Sequence, residues 1–436
     1  MDILLINSNM AHQDSLLRRL LFKLNSNPEL ILPQLAAATP EKHNLKLIDD
    51  RYEDPKKYND DFDIVGISTV TPSAPRAYEL ADYFRKKGKT VVLGGLHPSA
   101  LPHEAKQHAD SIVIGEAETS WPRLLMDFEK EQMKSFYQSE NPLNLNEISF
   151  PKHDLLNIKP LFTPIATSRG CPYNCTFCSL AHMHGKRYRH KSIEQIVNEI
   201  KNTDRKFLVF LHDASLTINE NYAKSLLKAM IPLKRKFIAY GSPPILSKND
   251  ELLELSRRAG CVMWCVGMES ICQKSLYNDA KKKYNTENYE IMVKKIHKNN
   301  MSVFSSFVLG FDNDTTEMFD RTLQAAFDYN LDAAEFNILT PFPITRLFNQ
   351  FDREKRIITR DWTKYDLHHV VFKPKNMSEK ELNDGVAKIS SKFYSPEKTI
   401  QRILNIVLKR RKLSSIIVVG AMNTIMARFH LEFSLL

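Results

Sequence analysis

The sequence predicts an α/β protein in three parts: an N-terminal doubly wound parallel sheet, a partial (β/α)6 barrel, and a small, mainly helical C-terminal region. Three observations predict this. Short apolar runs alternate with amphipathic stretches over residues 1–130, a second such series with six runs begins at residue 163, and after residue 345 the strand pattern gives way to helical spacing.

The first series holds Asp2–Asn7, Leu45–Ile48, Asp63–Ser68, Thr90–Gly94 and Ser111–Gly115. Runs this short and this apolar are strands buried on both faces. Between them, Ala77–Lys87 repeats apolar residues three and four apart, and Gly88 ends the helix. Strand and helix alternation with tight glycine turns gives a parallel sheet whose ligand site lies at the strand carboxyl ends. Ser68, Thr69, Thr71, Gly94, Gly95 and Gly115 stand there. Residues 131–162, with several Asn, Ser and Pro and little periodicity, read as a linker. The second series holds Thr163–Thr167, Phe207–Leu211, Phe237–Tyr240, Val262–Val266, Val303–Leu309 and Ala334–Leu339, with helical stretches between. Six strands in such order suggest a partial barrel over 163–345 with its site at the strand C-termini. Residues 346–436 form the third region.

A chain of 436 residues is too long for one ordinary core, and 43% hydrophobic with 26% charged residues is a globular composition. No run of about 18 apolar residues occurs, and Met1–Ile6 lacks the basic start of a signal peptide, so a cytoplasmic protein is expected. The formal charge of +10 is spread along the chain and selects neither nucleic acid nor anionic lipid as a partner. Three of the six cysteines are crowded together, which is not the scatter of a disulfide framework.

Those three are Cys171-Pro-Tyr-Asn-Cys175-Thr-Phe-Cys178, directly after a predicted strand. Three thiolates at this spacing can ligate three irons of a cubane cluster and leave the fourth open to another ligand. The alternative is a closed zinc site with His182 or His184 as fourth ligand. Cys261 and Cys265 flank Val262-Met-Trp264 and are expected in the core, Cys265 with an outside chance of touching substrate.

Cys-x3-Cys-x-aromatic-Cys, with Phe177 as the aromatic residue, resembles the signature of the radical S-adenosylmethionine (SAM) superfamily. Asp63–Ser68, Gly94–Pro98, Gly115–Glu118, His212–Ser215, Gly267–Ser270 and Pro341–Thr345 resemble the class that pairs an N-terminal B12-binding domain with a radical SAM barrel. Asp361–Asp366 with His369–Pro374 resembles an extension found in hopanoid-methylase-like members. The resemblance implies a [4Fe-4S] cluster on Cys171, Cys175 and Cys178, with SAM chelating the fourth iron and cleaved reductively to a 5′-deoxyadenosyl radical. It implies Glu269 and Ser270 facing SAM, Gly310 giving room for adenine, and cobalamin along Ser68, Thr69, Thr71, Gly94, Gly95, Gly115 and Glu116. Gly267 and Gly310 equally permit close helix–strand packing, while Glu269, a carboxylate ending an apolar strand, requires a partner.

The Asp-x-His-x-x-Gly sequence that supplies an axial histidine to cobalt in many B12 proteins is absent from residues 1–150. His12, His43, His97, His103 and His108 lack that context, and His97 is expected near the ligand or the linker. With cobalamin bound, the resemblance implies methylation of an unactivated carbon; without it, the radical would drive rearrangement, cyclisation or oxidation. Its implied partners are a small-molecule or lipid substrate and an electron donor such as flavodoxin or ferredoxin. Thr399–Leu413 is amphipathic and carries the basic run Lys409-Arg-Arg-Lys412, with the apolar run Ile416–Val419 following. Such a segment either docks on the inner membrane surface or packs on the barrel. Two rivals are weighed: a non-catalytic B12 sensor leaves the cysteine motif without purpose, and a tRNA-modifying enzyme would carry more cysteines before residue 170, where there are none.

Overall fold

The computed structural model describes residues 1–10, 29–58, 61–139, 141–156, 162–203, 208–282, 284–410 and 418–424. His12, Phe207, Arg411–Leu413, Ile416 and Ile417, all named above, lie outside the described residues. The first sheet holds β1 (Asp2–Asn7), β2 (Asn44–Asp49), β3 (Ile64–Ser68), β4 (Thr90–Gly94), β5 (Ser111–Ile114) and β6 (Phe136–Gln138), ordered β2-β1-β3-β4-β5-β6. Every pairing is parallel.

The unbroken apolarity of β1 follows from cover on both sides. Leu4 and Ile6 pack with the helix Ala74–Lys86, while Ile3 and Leu5 pack with the helices Ile31–Ala38 and Ser120–Glu129. Because the chain leaves β1 toward β2 and returns to β3 on the other side, the strand order reverses between β1 and β3. A doubly wound sheet opens its ligand crevice at that point. β6 corrects the sequence-based boundary at residue 130: the sheet takes a sixth strand inside the expected linker. This edge strand buries only Tyr137, whose hydroxyl donates to Asp127 at 2.8 Å.

The second sheet contains β7 (Phe162–Ile165), β10 (Leu208–Leu211), β11 (Lys236–Gly241), β12 (Cys261–Glu269), β13 (Ser302–Leu309) and β14 (Ala333–Ile338), adjacent in chain order and parallel throughout. This is an open, six-stranded part of a barrel. A short antiparallel pair, β8 (Ser168–Arg169) and β9 (Arg189–His190), frames the cysteine loop. At the opposite end, Phe162, Leu208, Ile238, Val262 and Phe304 near the strand starts pack with Ile406, Val418 and Val419. The C-terminal helices therefore plug the barrel's lower mouth, leaving the strand C-termini as the open end.

The third region is mainly helical. The helix Glu379–Phe393 begins with a capping box between Ser378 and Glu381. Farther back, Trp362 is buried against the first domain, its ring 5.2 Å from that of His97 and its Nε1 donating to Glu104 at 3.0 Å.

Candidate active site

The cysteine loop is pinned at both ends. Asp213, just beyond β10, accepts from the backbone and hydroxyl of Thr167 at 2.9 and 2.7 Å, and from those of Ser168 at 2.6 and 3.0 Å. Gly170 follows at φ +85°, where a Cβ would stand 2.1 Å from the Arg187 carbonyl, so only glycine admits the turn. Within the loop, Thr176 Oγ1 donates to the Asp279 carbonyl at 2.6 Å, Leu347 N donates to the Thr176 carbonyl at 3.0 Å, and Arg346 donates to the Asn174 carbonyl.

Cys171, Cys175 and Cys178 are free and partly buried. Burial raises all three thiol pKa values, that of Cys175 to about 12. Thiolates form here only with a cation to compensate them. His184, one zinc-ligand alternative, instead directs Nδ1 to Glu116 at 3.1 Å. Among the described residues no three His, Cys, Asp or Glu side chains converge on an ion-sized site. A cubane takes each thiolate on a different iron and needs no such convergence.

Facing this loop, β12 ends at Glu269, held at φ +61° beyond a register shift against β13. The partner that its carboxylate requires is Lys282, whose Nζ lies 2.6 Å from Oε1. Burial works against the Lys282 charge, but Glu269, Tyr284 and Cys175 outweigh it and leave the ammonium pKa well above its ordinary value. Gly267 is shaped by the same pair: a Cβ there would stand 2.4 Å from Glu269 Oε1. Tyr284 and Tyr289 hydroxyls donate to the carbonyls of Gly267 and Met268, fixing the strand end.

Between the carboxyl ends of the two sheets lies a cavity of about 490 Å³. Its first-domain wall includes Leu5, Gly66, Ser68, Gly94, Gly95, Gly115 and Trp121; its barrel wall includes Arg169, Leu180, Met183, His212 and Tyr240. Where a Cβ on Gly115 would point there is open space, and Gly95, at φ +100°, has Thr69 O only 2.5 Å from its Cβ position. Glycines at neighbouring strand ends thus leave a bare backbone wall that a flat macrocycle can approach. Across the rim, Glu116 receives Arg189 at 2.8 and 2.9 Å, Arg169 at 3.4 Å, and His184. Burial alone would raise the Glu116 pKa, yet His184, Arg189 and Arg169 hold it down at about 2. Glu118 pairs with Arg169 as well.

Comparison with known proteins matches residues 165–326 to the radical SAM superfamily and residues 36–125 to the B12 binding domain. Bacteriochlorophyllide d C-8(2)-methyltransferase of Chlorobaculum tepidum is 31% identical over 87% of this chain and 91% of its own length. The chain belongs to the cobalamin-dependent radical SAM methyltransferases. Bacteriochlorophyllide d C-12(1)-methyltransferase of the same organism is 28% identical over 86% and 84% of the two chains, and hopanoid C-2 methylase of Rhodopseudomonas palustris 25% over 75% and 64%. In fold, the radical SAM methyltransferase TsrM from Kitasatospora setae, solved with cobalamin and a [4Fe-4S] cluster, aligns with TM-score 0.63 at 16% identity, covering 81% of this chain and 78% of its own.

For a cobalamin-dependent radical SAM methyltransferase the cofactors are a [4Fe-4S] cluster, SAM and cobalamin, and the residues present fit them. The loop offers three thiols and the interdomain wall offers bare glycine backbone. Of the residues expected at cobalamin, Ser68, Gly94, Gly95, Gly115 and Glu116 line the cavity. Thr69 and Thr71 do not; both are 1% exposed beneath the strand ends, and Thr69 Oγ1 donates to the Val70 carbonyl. Glu116 spends its carboxylate on the interdomain clasp. His97 is fully buried and bonds Glu104 at 3.1 Å, facing the third region. The Cβ direction of Gly310 meets Leu382 at 2.8 Å and Phe372 at 3.4 Å, so the glycine serves packing of the third region there. Phe177 packs edge-on against Phe311 at 6.0 Å. Ser270 is buried, with Oγ accepting from Cys272 N at 3.0 Å. Cys261 and Cys265 are both buried. Sequence reasoning did not single out Lys282, Arg169, Arg189, His212 or Tyr240 as site residues; of these Arg169 stands two residues before Cys171, His212 opens the stretch His212–Ser215 and Tyr240 ends a predicted strand, whereas Lys282 and Arg189 carried no positional signal.

Proposed function

We propose that this methyltransferase acts on a flat, hydrophobic, polycyclic biosynthetic intermediate, adding a methyl group to an unactivated carbon, with flavodoxin or ferredoxin as electron donor. The observation that carries it is the cavity, which brings the bare wall of the first domain together with Gly170 and Leu180, the residues on either side of the cysteine loop of the second. When bound, the cofactors supply reductive SAM cleavage and a methyl donor; the chain's residues arrange the chamber. Arg169, Arg189 and His184 hold the first domain over the barrel mouth through Glu116, which keeps water from the space between. Lys282 orients Glu269 beside the cysteine loop. On the barrel side of the cavity Leu180, Met183 and Tyr240 suit a ring system better than a polar metabolite. Relatives named for bacteriochlorophyllide and hopanoid substrates support that class.

Access from a membrane surface belongs to the same proposal. The helix Pro396–Arg410 exposes Ile400, Leu404 and Leu408, at 57, 52 and 71%, along one stripe. Among the described residues no helix is long and apolar enough to cross a membrane. The test is anaerobic incubation of the reconstituted enzyme with methyl-deuterated SAM, cobalamin, reductant and either a polycyclic acceptor, bacteriochlorophyllide or hopanoid, or a set of polar acceptors. A labelled methyl in a polycyclic product is expected; labelling confined to polar acceptors overturns the substrate class.

A further inference from the structure

The cysteine loop also borders a second groove that shares no lining residue with the cavity between the sheets. Thr176, flanked by Cys175 and Phe177, lies at the base of an open surface groove whose other walls are Lys281, Arg346, Asn349, Gln350 and Arg353. Lys186 is exposed at the loop's far end, and His182 senses both Lys186 and Arg346, which lower its pKa after burial has done so. Among the described residues none of Lys186, Lys281, Arg346 and Arg353 has a carboxylate partner within ion-pair distance. The nearby acids on the same segment are already engaged, Asp352 by Arg360 at 2.7 Å and Glu354 by Arg356 at 3.0 Å. Tyr173, between the first two ligand cysteines, is 48% exposed.

Four cations without carboxylate partners and an exposed aromatic ring therefore lie on or beside one loop. Elsewhere in this chain some surface cations are paired, as Lys224 is with Glu251 and Lys294 with Glu290, and others stand alone; here four gather at one loop. Unpaired like charges gathered at one spot repel one another, and they create a local positive potential that attracts an acidic partner and raises its association rate. The location gives the patch meaning. Thr176, which lines the groove, is the chain neighbour of Cys175, whereas none of the three cysteines lines the cavity between the sheets, so an electron entering from the groove has a short route to the cysteine loop. Aromatic side chains with unpaired arginines are also the residues enriched at protein interfaces.

We propose that Lys186, Lys281, Arg346, Arg353 and Tyr173 form the docking surface for a small acidic protein that carries a low-potential one-electron centre. One electron passes from the reduced centre of that protein to the oxidised cluster; no bond is made or broken and no proton moves, and the partner leaves oxidised by one electron. This rests on the radical SAM assignment, since a cluster that needs reduction is what gives the surface its partner. Arg346 also holds the loop through the Asn174 carbonyl, so it has a second, positioning part.

The test uses Lys281→Glu/Arg353→Glu, which spares Arg346, in the reconstituted full-length enzyme with a recombinant flavodoxin as probe. Two readouts are taken: binding of fluorescently labelled flavodoxin at low and high salt, and 5′-deoxyadenosine formation with either reduced flavodoxin or dithionite. Charge reversal is expected to weaken flavodoxin binding by about tenfold at low salt and to slow flavodoxin-driven cleavage similarly, with dithionite-driven cleavage unchanged; salt should weaken wild-type binding. Unchanged binding and unchanged flavodoxin-driven cleavage in the double variant overturn the proposal. An equal loss with dithionite also overturns it, because the charges would then be supporting the loop. If the wild type cleaves SAM with neither reductant, the radical SAM assignment fails, and the binding arm decides separately whether the surface takes an acidic protein.

Discussion

Replacing Glu116 by Gln removes the anion that Arg169 and Arg189 of the second domain share and that His184 hydrogen-bonds, and it keeps the side chain's size. Glu116 is 10% exposed, so solvent screens the cluster little. A carboxyl held at about 2 in place of its ordinary 4.5 reports about 3 kcal/mol of net stabilisation, at about 1.4 kcal/mol per pKa unit. The sign follows from linkage: a carboxyl whose folded pKa is depressed contributes in full above the unfolded value of 4.5, and the contribution fades as pH falls toward 2. Glu116→Gln should therefore lower the unfolding free energy by about 3 kcal/mol at pH 7 and by roughly half of that at pH 3. Urea titration of cluster-free wild-type and variant protein at the two pH values measures the gap. A gap that is absent at pH 7, or equally large at pH 3, would refute the argument that ionised Glu116 clasps the domains.

Three further outcomes follow from the same structure. Gly95→Ala forces a Cβ to within 2.5 Å of Thr69 O at φ +100°; it should cost about 1–3 kcal/mol and reduce the corrin absorbance retained after gel filtration, and full retention with unchanged stability would contradict the bare-wall account. Lys282→Ala leaves Glu269 without its counter-ion and should destabilise by about 3 kcal/mol, while Lys282→Arg should restore part of it; equal urea midpoints for all three proteins would show the pair to be idle. Changing Ile400, Leu404 and Leu408 to Ser should reduce co-sedimentation with anionic vesicles, each apolar side chain contributing about 1.5–3 kcal/mol if fully inserted; no wild-type sedimentation at low salt would remove the membrane-surface proposal.

The fold was legible where burial on both faces forced continuous apolar runs, as in β1, β3 and β4. It was less so where burial was one-sided. β6 shows one buried Tyr137 between exposed Phe136 and Gln138, a pattern too short to separate from a loop. The C-terminal end of β12 was read short because Gly267 and Glu269 break its apolar run; both are there for the Lys282 pair, not for strand stability. The cysteine loop stood out in the sequence because a metal-ligand motif is defined by residue type and spacing together. Its supports could not: Lys282 follows the π-helical turn Ser275–Asp279, and Arg189 lies on a two-residue strand, so no periodicity announced either. Glu116 was expected at cobalamin; its carboxylate instead meets Arg169, Arg189 and His184 of another domain, and nothing local in sequence records that meeting. Thr69 and Thr71 were expected at the ligand with Gly94 and Gly95 because they follow a strand end; the polypeptide turns the two threonines inward, while both glycines line the cavity.

The central claim is tested most directly by anaerobic reconstitution of the wild-type chain beside the Cys171→Ala/Cys175→Ala/Cys178→Ala variant, followed by reduction with dithionite in the presence of SAM and quantification of 5′-deoxyadenosine. The account predicts about four iron per wild-type chain with 5′-deoxyadenosine formed, and neither property in the variant. Continued 5′-deoxyadenosine formation by the triple variant would contradict it.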